Sequence, residues 1–179
     1  MERIKLSHNF YLDEVIDPVT YFTEFDNGQS KIDLSLITIV QVLRAKYGKP
    51  LPINNWWKYA VDNNINHNSS NAELIAFSDW IDDNRYIHQW SGYRSERCQI
   101  GASKSTHKLG QSLDPKGNQK ELFNIIRKDP KLFYDLGLRQ IEDIKITKGW
   151  LHISTSLRNF NEGRIRVIGR YKHAFDLVV

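Results

Sequence analysis

With 179 residues, 40% of them hydrophobic and 26% charged, the chain has the length and composition of one soluble globular domain with a sizeable core. The formal net charge is +4, from 25 basic and 21 acidic residues, and no run of five basic residues occurs, which argues against a nucleic-acid binder. The single cysteine, Cys98, excludes an intrachain disulfide and a four-cysteine zinc site, and no apolar run approaches the roughly 18 residues of a membrane span.

Residues 1–6 lack the apolar core and small-residue cleavage site of a signal peptide. The stretch 6–14 reads as an extended arm, with a helix start at Ser7 or Asp13, whose side-chain oxygens can accept from unpaired amides. Leu34, Leu36, Ile37, Val40 and Leu43 recur at three- and four-residue steps and predict a helix over 32–46, closed near Gly48 with Pro50 beyond it. Residues 51–57 read as a strand entering a loop, the asparagine-rich stretch 61–71 as a surface loop or insertion, 72–83 as a helix and 88–93 as a strand.

Helices are expected at 118–128 and 130–136. Strands at 139–146 and 150–156 follow, joined by Thr147, Lys148 and Gly149 as a hairpin turn. Residues 164–168 are a further short strand or a terminal arm. The pattern predicts an α+β fold, a small antiparallel sheet flanked by helices. It forms one domain over 1–179, with 61–88 as an insertion and 157–179 as a C-terminal extension.

The chemistry concentrates in one segment. His107 and Asp114 lie seven residues apart, and a turn at Gly110 between them can fold one back toward the other. His152, on a predicted strand, offers a third ligand. Imidazole and carboxylate both suit zinc, and a catalytic zinc takes three protein ligands plus a water.

Ser105, His107, Gly110, Ser112 and Asp114 fall on the pattern SxHxxGxAxD, with Ser112 in place of its alanine. In this the chain resembles the zinc D-Ala-D-Ala carboxypeptidases and L-alanyl-D-glutamate endolysins. Ser91, Gly92, Tyr93, Arg94 and Ser95 are similar to the SGYRS segment that precedes that motif, and Trp150, Leu151 and His152 to the WxH element that follows it. The order is the family's. Pro52, Ile53, Asn54, Asn55 and Trp56, then Gly101 and Ala102, then Ile141, Glu142 and Asp143, also resemble segments of its phage-borne branch. The likeness spans residues 6–156 and is weakest over 61–88.

The resemblance implies a hedgehog/D-Ala-D-Ala peptidase-like fold with zinc held by His107, Asp114 and His152. It implies a water whose pKa falls toward neutrality and which attacks a peptide carbonyl. Arg94 would stabilise the oxyanion or hold a terminal carboxylate by a forked pair of hydrogen bonds. Tyr93, Ser105 and Trp56 would lie against the substrate, with Asn54, Asn55, Trp56 and Trp57 lining a groove. The implied activity is cleavage of peptidoglycan stem peptides in phage or prophage cell-wall lysis, of the D,D-carboxypeptidase or L,D-endopeptidase type. The protein would be made in the host cytoplasm and released to the wall, or carried in the virus particle.

Two positions depart from the family. Its general base sits three residues before the last histidine, where this chain has Gly149. Glu142 or Asp143, on the preceding strand, can replace it. A three-residue turn sets Glu142 opposite Ser154, on the face of His152, whereas a two-residue turn sets Asp143 there. The second departure is Ser154, where relatives carry an aspartate that supports the histidine. Gly149 also opens a rival reading, a peptidase-fold structural or attachment protein of a phage particle that binds wall peptide or a virion protein without cleaving.

Overall fold

A computed structural model describes residues 2–24, 27–100, 104–158, 162–169 and 173–179. The described residues form an α+β structure with helices α1 (Pro18–Thr23), α2 (Leu34–Tyr47), α3 (Trp57–Asp62), α4 (Asn71–Asp82), α5 (Gln119–Lys128) and α6 (Pro130–Asp135). Its strands are β1 (Ser112–Leu113), β2 (Gln140–Glu142), β3 (Ile153–Ser154), β4 (Arg164–Ile168) and β5 (His173–Val178). No helix among them is long and apolar enough to cross a membrane. The chain divides into two compact units, one of Met1–Ile32 with Ile53–Gly110, the other of Asp33–Pro52 with Gln111–Val179.

The first unit holds α1, α3 and α4. The first helix starts neither at Ser7 nor at Asp13 but at Pro18, where Asp17 accepts hydrogen bonds from the Thr20 amide (3.1 Å) and hydroxyl (2.6 Å). Asp13 is drawn elsewhere. Its buried carboxylate takes a forked pair from Arg3, at 2.8 and 2.6 Å, and lies in a single 3₁₀ turn, Leu12–Glu14.

The strands expected at 51–57 and 88–93 are absent because asparagine side chains replace the ladder. Asn54 donates to the Ile16 carbonyl (3.1 Å) and accepts from the Ser91 amide (3.0 Å). Asn55 accepts from the His88 amide (2.6 Å) and donates to the Tyr86 carbonyl (3.0 Å). The backbone is satisfied without regular pairing. Trp56 is wholly buried against Tyr21, Phe22 and Trp57, with its indole N–H on the Ile16 carbonyl at 2.9 Å. It is a core residue with no exposed surface for the substrate contact expected from the sequence. With Asn54 and Asn55 engaged in the scaffold, the expected aromatic groove loses its polar lining too.

The second unit holds α2, α5, α6 and the sheet. Helix α2 begins two residues inside the expected range and closes at Gly48, whose φ of +69° suits a residue without a side chain. Its N-cap, Asp33, accepts from the Ser35 amide (2.9 Å) and the Thr155 hydroxyl (2.6 Å). Partial burial works against its charge, but these bonds outweigh that and hold the carboxyl below its ordinary aspartate range. Asp33→Ala is expected to lower stability by about 1–2 kcal/mol at neutral pH, from the lost cap and hydroxyl bond. Because the folded-state pKa is depressed, the contribution is present above the unfolded aspartate pKa and fades as pH falls through the folded value. Urea unfolding of both proteins at pH 7 and pH 3 checks it, and an undiminished gap at pH 3 would contradict it.

The sheet has the order β1-β3-β2-β4-β5. Its pairs are antiparallel except β2 with β4, which run parallel, so the expected antiparallel sheet is in fact mixed. The parallel neighbour comes from the C-terminal residues, which supply two of the five strands. Leu113, Ile141, Leu151, Ile153, Ile165 and Val167 alternate onto one face and are wholly buried. Helix α6 packs on β4 and β5, and α5 packs on α6 and on α2. Phe123 of α5 meets Phe175 of β5 edge-on. The other face carries Ser112, Ser154, Gln140 and Arg166 in register, and the next row begins the chemistry.

Candidate metal centre

The pairing of β1 with β3 sets Ser112 opposite Ser154 and Leu113 opposite Ile153. The same register runs on past the regular ladder, for the Leu151 amide donates to the Pro115 carbonyl (3.0 Å) and Lys116 bridges Trp150. Pro115 has no N–H to continue the ladder, which is why the strands proper are short. Continued through this stretch, the register places Asp114 directly opposite His152, on the polar face. Their side chains meet, with His152 Nδ1 2.8 Å from Asp114 Oδ1.

His107 comes from a succession of tight turns. The Lys108 amide donates to Ser105, Leu109 to Thr106 and Gly110 to His107, all within 3.2 Å. Gly110 closes them at φ +67°, and a Cβ there would lie 1.7 Å from the Lys31 carbonyl oxygen, so only glycine fits. The His107 ring is 2% exposed, and its Nδ1 lies 2.7 Å from the Gly92 carbonyl oxygen. A carbonyl only accepts, so Nδ1 carries the proton and the ring's lone pair sits on Nε2, the tautomer of a metal-binding histidine. Gly92 is held in turn, since a Cβ there would fall 2.0 Å from the Val15 carbonyl oxygen.

His107, Asp114 and His152 each present one ligand atom, all within 4.8 Å of one another, and can hold a metal ion. The donor set fits a divalent cation: two imidazoles and one carboxylate, largely buried, one ring oriented by a backbone carbonyl.

Ser154, the second departure, is fully buried and donates from its hydroxyl to the Gln111 carbonyl at 2.8 Å. It anchors the segment leading to Asp114 instead of supporting His152 with a charge. Gly149 has φ +83°, and nothing lies within 4 Å of a Cβ built on it. Its amide reaches Gln119 Oε1 at 3.2 Å and its carbonyl accepts from Gly117, so it serves a turn.

The candidate bases separate cleanly. Strand β2 pairs Gln140 with Ser154 and Ile141 with Ile153, and the Glu142 amide donates to the His152 carbonyl (3.1 Å). Glu142 therefore stands opposite His152, two residues from the partner expected of a three-residue turn but on the same face. Asp114, His152 and Glu142 form one row across three strands. Asp143 leaves that row: its amide donates to Ile168, and its carboxylate accepts from the Lys145 amide (2.9 Å) to open a turn.

The remaining predicted residues lie near His107 along the chain. The Arg94 amide donates to the His107 carbonyl (3.2 Å) and its Nε to the Trp90 carbonyl (2.7 Å). The Tyr93 amide donates to Val15 (2.7 Å), and burial pushes its hydroxyl above the ordinary tyrosine range. Ser105 opens the turns that carry His107. Gly101 and Ala102 lie outside the described residues. Sequence reading missed Lys116, although its two-residue spacing from Asp114 marks it as sharing a strand face.

No family model, no curated protein and no solved structure matches this chain.

Proposed function

We propose that the protein is a zinc-dependent peptidase acting on peptidoglycan stem peptides, of phage or prophage type. The observation that carries the reading is the convergence of His107, Asp114 and His152. The likeness of the surrounding segments to the D-Ala-D-Ala carboxypeptidases and L-alanyl-D-glutamate endolysins supplies the substrate class. When bound, the ion would lower the pKa of a water and polarise the peptide carbonyl.

The chain's own groups divide the remaining work. Gly92 fixes the His107 tautomer, and Asp114 with His152 closes the ligand set from two paired segments. Glu142, in the row of His152, takes the proton of the attacking water and returns it to the leaving amine. Arg94 supplies a positive charge for the oxyanion or the substrate's carboxylate.

A second reading rests on Gly149. With no carboxylate at the family's usual position, a module of the same fold can bind wall peptide, or a virion protein, without cleaving it. Digestion of purified peptidoglycan separates the two. Zinc-loaded protein is expected to release a defined fragment whose mass names the bond, and chelated protein to release none. A protein that binds one zinc and frees nothing from any wall would favour the attachment reading.

A further inference from the structure

The polar face of β1 and β3 continues one row beyond the ligands. Lys116 and Trp150 are paired there, and the two-residue period puts them on the face of Asp114 and His152. Both are partly exposed. The Lys116 ammonium lies 5.1 Å from the centre of the Trp150 ring, a cation held against an indole. The contact restrains an otherwise mobile side chain beside a group of metal ligands and reduces the ordering cost of binding an anion.

The spacing limits what that anion can be. Same-face positions on a strand are about 6.8 Å apart. One residue of extended peptide spans about 3.5 Å, and a charged N–H···O contact adds about 2.8 Å. A peptide whose reacting carbonyl sits at the ligand row would bring a carboxylate on the next residue toward the row that carries Lys116. In the same row as the ligands the ionisable groups besides His152 are acidic, Asp114 and Glu142. Arg166 stands on the far side, beyond Gln140 in β2. Lys116 is a cation on the β1 side.

Resting on the reading of the ligand group as a hydrolytic site, we propose that Lys116, braced on Trp150, binds a substrate carboxylate one residue from the scissile bond. The ligand is an acidic peptide, its carboxylate either the chain terminus or an acidic side chain.

Four probes test this: acetyl-D-alanyl-D-alanine and its terminal carboxamide, and acetyl-L-alanyl-D-glutamate α-amide beside its D-glutamine counterpart. Calorimetry on metal-free protein measures binding apart from turnover, and kinetics on zinc-loaded protein separate KM from kcat. Wild type is expected to bind one carboxylate probe about 10- to 100-fold more tightly than its amide partner, and the pair that discriminates identifies the source. Lys116→Gln should erase that preference and raise KM, and Lys116→Arg should restore most of it.

Equal binding of acid and amide by wild type, no binding of either, or a preference that survives Lys116→Gln would each overturn the proposal and leave Lys116 as packing on Trp150. Carboxylate discrimination without cleavage of any probe or wall would keep the Lys116 site and dismiss the peptidase instead.

Discussion

Replacing His107 with alanine is expected to weaken zinc binding by more than about 100-fold, and to remove cleavage of any wall substrate that the wild type cuts. Changes to groups that merely orient a ligand cost roughly 10- to 100-fold, so loss of the ligand itself should cost more. The effect is readable without activity. An ion that binds only the folded chain stabilises it by about 2.7 kcal/mol at a hundredfold excess over Kd. For a chain of this size that raises Tm by roughly 5–10 °C. Wild type should show the rise, and His107→Ala should not.

The variant also opens a cavity where a ring 2% exposed now packs, so its metal-free Tm should fall as well. His107→Gln keeps more of the volume and should lose the zinc response while holding more of the stability. A zinc-induced rise that persists in both variants would show that His107 is no ligand and would remove the basis for the proposed function.

His107, Asp114 and His152 were legible as a group that could hold a metal ion because their types and spacings suit one and because the segments around them resemble a family motif. The helices were legible for a similar reason. The range of α2 follows from its apolar steps and from Gly48, and α5 from Asn118, whose side chain caps it by accepting from the Glu121 amide. What stayed hidden was held by single long-range bonds. Asn54 and Asn55 read as a strand or a groove, yet they tie together backbone segments more than 30 residues away. Trp56 read as a substrate contact in a groove, and only the packing of Tyr21 and Phe22 around it reveals a core position.

Strand β5 went unseen, since the alternation in 173–178 is weak and its partner β4 is itself only five residues long. The parallel pairing of β2 with β4 was equally invisible, because hairpin spacing speaks only for neighbours along the chain. The register of β2 on β3 shows how narrow the margin was. The turn is longer than three residues, but by an even number, so Glu142 kept the face that the shorter turn assigned to it.

That parity makes the sharpest mechanistic prediction. Glu142→Gln is expected to lower kcat by about 10²- to 10⁴-fold, the usual range for a lost general base, while zinc affinity stays near wild type. The amide is isosteric, and the Glu142 backbone bond to His152 is untouched, so β2 and β3 should keep their register. Asp143→Asn should retain most of the rate, because an asparagine oxygen can still accept from the Lys145 amide in the same turn. Gly149→Ala should cost stability, about 1 kcal/mol for a side chain at φ +83°, yet leave the rate in place, since its Cβ meets nothing within 4 Å. Rates on a defined wall peptide, with bound zinc counted in each variant, distinguish the three. Should Asp143→Asn abolish turnover while Glu142→Gln preserves it, the row of Asp114, His152 and Glu142 would not be the catalytic one. The proton would then have to move from the turn at Asp143, with the sheet face serving only to hold the ion.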